Sequence, residues 1–178
     1  MKRAILSLAL VIGLLSAVVM GSGSAGSGVA VQSVQAASAP NAPAHFFDKT
    51  RFLAHMGIAY YAFHHWVIIP WQHHQFNSGA PHRTSTIVKA GIATLFAYHE
   101  AHVAYDIANK SNSKLLHALV SPINKLLSLA GSVGNKLKKG QYSTSDLSNL
   151  SSSVSSVGTA AAKNGYTIKD IVTPIKGL

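Results

Sequence analysis

The sequence predicts an all-α protein, a helical bundle of about four to five helices built on a long antiparallel helical hairpin after an N-terminal signal segment. Three observations carry this. Apolar residues recur at spacings of three and four, as in Phe52, Met56, Ala59, Phe63 and Trp66. No segment alternates apolar and polar residues as a half-buried strand would. Caps and turn residues divide the chain at helical lengths.

At the N-terminus, Lys2 and Arg3 precede an uninterrupted apolar run over residues 4–20, and small residues follow over 21–28. That is the layout of a secretory signal. Cleavage is expected after Ala36, and an uncleaved anchor is the alternative. Residues 1–36 are therefore assigned to the signal, 37–47 to a flexible linker and 48–178 to a single helical domain. The expected location is secreted or extracytoplasmic, with membrane association as a variant of it.

The first helix is expected over residues 51–69, capped by Asp48 or Thr50. It is apolar or aromatic on all sides, through Leu53, Tyr60, Tyr61, Val67 and Ile68, so it belongs in a bundle or a membrane. Pro70 should end or kink it, because proline pushes the preceding residue out of the α region. A short helical piece over 71–76 leads to a turn at Asn77-Ser78-Gly79 and Pro81. Thr84 or Ser85 should cap a second long helix over about 86–108, with Val88, Ile92, Leu95, His99, His102 and Asp106 on one stripe. Both long helices carry ionisable residues at internal positions, which favours a bundle over a membrane hairpin.

After a break at 109–113, a short helix is expected over 114–120. Ser121-Pro122 reads as a restart, with serine as N-cap and proline at the first helical position. The restarted helix should reach Lys138 and stop at Gly140, presenting Ile123, Leu126, Leu127, Ala130, Val133 and Leu137 as its apolar stripe. Thr144 or Ser145 starts another, whose core seam is Leu147, Leu150, Val154, Val157 and Ala161. Asn164-Gly165 ends it. Thr167 and Asp170 match a capping box for a final short helix to about Val172.

Composition bounds the chemistry. The chain has 178 residues and no cysteine, which excludes disulfides, thiolate zinc, iron–sulfur clusters, thiol catalysis and covalent c-type haem. Lysine and arginine number 15 against five acidic residues, a net charge of +10. Such a balance points to anionic cell surfaces or membrane head groups as partners. Nucleic acid is not expected, because no basic stripe interleaved with aromatics appears.

Histidine is the richest signal, with ten residues, eight of them between His55 and His102. His99 and His102 stand three apart on one helix face, and Asp106 lies one turn beyond His102. If the long helices pair antiparallel, residue numbers facing each other sum to about 155, which sets His55 level with Glu100. His55, His99 and His102, with Asp106 in support, form the expected metal set. His65 is the substitute for His55 if the first helix continues past Pro70. Imidazole with one carboxylate suits zinc, copper, nickel or iron, and two histidines in a bundle suit haem. Glu100 should point away from the His99–His102 pair, so the metalloprotease pattern is absent. Enzyme activity is not expected. Two functions follow: metal or haem binding, or a non-enzymatic envelope or membrane-surface protein without metal. A third expectation, acid sensing, rests on histidines buried in neutral form.

Overall fold

The computed structural model describes residues 47–178, and every regular element among them is helical. The signal segment and nearly all of the linker lie outside the described residues. Helix α1 spans Asp48–Phe63 and buries the expected face, with Phe52, Met56, Ala59 and Phe63 fully shielded.

Pro70 does not end this helix. A π-helical segment, His64–Ile68, carries the chain directly into α2, Ile69–Gln72. Proline lacks an N–H and its ring collides with the carbonyl four residues back. The wider turn, in which the Ile69 N–H reaches the His64 carbonyl, relieves that collision without breaking the axis. The expected helix over 71–76 is correspondingly short, and turns follow. Phe76 is buried there, and its carbonyl accepts from Arg83 Nε at 2.8 Å and from the Tyr142 hydroxyl at 3.1 Å.

Helix α3, Arg83–Lys110, starts earlier than expected. Its N-cap is His82, in the left-handed region at φ 55°, rather than Thr84 or Ser85. The buried face of α3 is also not the expected stripe. Ala90, Ala93, Ala97, Ala101, Ala104 and Ala108 are all fully buried, whereas Val88, His99 and His102 are exposed. Alanine weighs little in an apolar pattern, yet small side chains let a helix approach neighbours closely on both sides. At Gly91 the approach is closest: an added Cβ would lie 2.7 Å from the Lys138 amide nitrogen.

Helix α4 runs unbroken over Lys114–Lys138, so Ser121-Pro122 is not a restart. The true N-cap is Ser113, whose hydroxyl accepts from the Leu116 N–H at 3.4 Å. Leu116, Leu119, Ile123 and Leu126 form one buried stripe across the proline. Packing of that stripe outweighs the one helical bond that proline removes, on a face where Ala118 and Ser121 meet solvent. Helix α5, Thr144–Lys163, opens on a capping box between Ser143 and Asp146 and buries all five seam residues.

Helix α3 packs against α1 on one side and α4 on the other, and α4 packs against α5. Tyr60 closes the ring: its buried hydroxyl donates to the Val154 carbonyl of α5 at 2.6 Å. No final helix forms. Residues 166–178 cross α1 as an irregular tail, pinned by Tyr166 and Ile175, which are buried, and by the Ile171 N–H donating to the Gly57 carbonyl at 3.0 Å. Asp170 bonds His64 rather than capping a helix. Gly57 is required by this crossing, because a Cβ there would lie 2.5 Å from the Lys169 carbonyl oxygen. Among the described residues no helix is long and apolar enough to cross a membrane.

Candidate functional site

The level match across the hairpin is real. His55 Nδ1 lies 2.7 Å from Glu100 Oε2, with side chains 31% and 12% exposed. The partners expected beside His55 are elsewhere. His99 and His102 sit on the solvent side of α3, because α3 turns its alanine face inward. His102 lies between the rings of Tyr98 and Tyr105, with Nδ1 3.8 Å from Asp106 Oδ2. Thus His102 and Asp106 share a face as expected, while His55 faces Glu100. Among the described residues no group of three or more histidine, aspartate or glutamate side chains is placed to hold a metal ion.

The adjacent histidines of the π-helical segment diverge. His64 Nδ1 meets the Asp170 carboxylate at 2.9 Å and fastens the tail. His65 is exposed and stacks on Tyr61, with ring centroids 5.2 Å apart. Glu100, Asp106 and Asp170 each face a histidine, and Asp146 takes Lys136 at 2.7 Å. The Asp146 carboxyl is held down at about 2, first by the hydrogen bond from Lys136 and then by the Ser143 N–H and hydroxyl.

His65 opens onto a cleft near the hairpin tip, a space of about 530 Å³ between the π-helical segment and the start of α3. One wall is Trp66, Ile69 and Pro70; the other is Ser85, Thr86 and Lys89. His65, Gln75 and His82 complete the lining. The Lys89 ammonium lies 5.7 Å from the centre of the Trp66 ring. A second, smaller cleft of about 160 Å³ lies on another side of the same helix start. Its cations are Arg83, Lys138 and Lys139. No acidic residue lines either cleft among the described residues.

Two features built this site out of reach of sequence patterning. The π-helical segment turns His65 and Trp66 toward α3. The left-handed backbone of His82, at φ 55°, immediately precedes the first residue of α3, Arg83, and His82 stands on the rim. The legible signal was the density of histidine and tryptophan around Pro70. What it lacked was the partner wall on α3. Compared with known proteins, the chain matches no family model, no curated protein and no solved structure.

Proposed function

We propose that the protein is a non-enzymatic, basic cell-envelope protein that attaches to an anionic polymer through the tip of its helical hairpin. The observation that carries this reading is the lining of the two tip clefts. They gather Lys89, Arg83, Lys138 and Lys139 with His65 and His82, and no acidic residue is part of either lining. The net charge of +10 and the signal-like N-terminus support the same reading. A polymer fits better than a bilayer surface. A membrane-inserting tip would present its large apolar rings, yet Phe76 is buried and Trp66 and Trp71 are partly buried.

Ligation of a transition metal or haem has less to support it. Its residues are divided between the His55–Glu100 contact, the outer face of α3 and the tip cleft.

Retention on an anionic wall polymer, measured against salt, tests the proposal. Binding is expected at low ionic strength and should be lost by about 0.5 M salt, where the screening length is a few ångströms. Lys138→Gln with Lys139→Gln keeps the side-chain stems and removes two charges, and should weaken retention. Binding indifferent to both salt and these substitutions overturns the reading.

A further inference from the structure

We infer that the larger tip cleft is a binding subsite for an anionic saccharide, a sugar unit bearing a phosphate or carboxylate. This rests on the polymer-binding reading and deepens it. Three properties of the lining specify the ligand. Trp66, with Ile69 and Pro70, offers an apolar wall of the kind on which the C–H face of a sugar ring lies. Gln75, Ser85 and Thr86 supply donors and acceptors suited to hydroxyl groups. Lys89, within 5.7 Å of the Trp66 ring centre, fixes a positive charge beside that wall. The volume of about 530 Å³ is enough to admit a sugar unit.

His82 is held at φ 55°, a conformation that favours glycine, and makes no side-chain cap to α3. Folding alone would accept glycine there at lower cost. The titratable and charged groups lining the cleft are His65 from the π-helical segment and His82 and Lys89 from the α3 side. None of them is an acid.

The test uses the full mature chain carrying Trp71→Phe, so that indole fluorescence reports Trp66. The probes are N-acetylglucosamine 1-phosphate, glucuronate, N-acetylglucosamine and inorganic phosphate. At least one anionic sugar should change the fluorescence saturably and bind about tenfold more tightly than the neutral sugar or phosphate. Which of the two does so identifies the anion. His82→Gly should weaken that binding while leaving the melting temperature unchanged or raised, which separates a ligand role from a structural one. Lys89→Gln should weaken it as well. The assignment is overturned if neither anionic sugar binds, if inorganic phosphate binds equally well, or if anionic vesicles alone show the dependence on His82 and Lys89. Persistence of salt-sensitive polymer retention with an empty cleft would sink this inference and spare the broader reading. Absence of polymer retention in a protein that still binds the sugar saturably would do the reverse.

Discussion

Nδ1 of His55 lies 2.7 Å from Oε2 of Glu100, joining α1 to α3 across the hairpin. Both side chains are partly shielded, so solvent screens the contact less than it would an open surface pair. A double-mutant cycle with His55→Ala and Glu100→Gln should give a coupling of about 1 kcal/mol. Additive single effects would show that the two residues act separately.

Tyr60 joins α1 to α5, and burial is the main influence pushing its hydroxyl well above the usual tyrosine range. The sign follows directly. A raised folded-state value means the stabilisation is present below the ordinary value near 10 and is lost as pH rises beyond it. Tyr60→Phe should cost about 1 kcal/mol near neutrality. It should also flatten the loss of stability expected of the parent between about pH 10 and 12. An alkaline limb of unchanged slope in the variant would count against this role.

Asp146 works in the opposite direction. Lys136 and Ser143 hold its carboxyl at about 2, so its contribution is present above the ordinary carboxylate range and is lost as pH falls toward that value. Asp146→Ala removes the second half of the capping box and should destabilise the protein by about 1 kcal/mol at pH 7. The difference between parent and variant should shrink in acid, as read by urea unfolding at stepped pH. A constant difference down to about pH 2 would rule out the ionised carboxylate as its origin.

Gly57 sets the path of the tail. Gly57→Ala places a Cβ 2.5 Å from the Lys169 carbonyl and crowds the Ile171 side chain. A cost of about 1–3 kcal/mol is expected, concentrated in residues 166–178. Limited proteolysis should cut this tail faster while the helices stay protected. Uniform deprotection of every helix would mean that the tail and the bundle unfold as one unit.

Where the chain buries large side chains, local pattern and tertiary structure agree. The stripes Phe52-Met56-Ala59-Phe63, Ile123-Leu126-Ala130-Val133-Leu137 and Leu147-Leu150-Val154-Val157-Ala161 all face the core. So does the level of His55 against Glu100, because the rise per residue is the same on both helices. These features depend on helical periodicity and on the burial of bulky apolar groups. Both are properties of short stretches of sequence.

Other features depended on what stood opposite. The phase of α3 was decided by two neighbouring helices that selected its alanines, leaving His99 and His102 in solvent. Pro70 was accommodated by a π turn and Pro122 by the continuous leucine stripe around it. Asp170 found His64 rather than a helix terminus. The tip cleft exists because His65 and Trp66 on one segment meet Lys89 on another. Sequence determined the helices and the large-residue seams. Only packing decided which small faces touched, and so which histidines could share a site, because contacts between distant segments are set by the geometry of both partners.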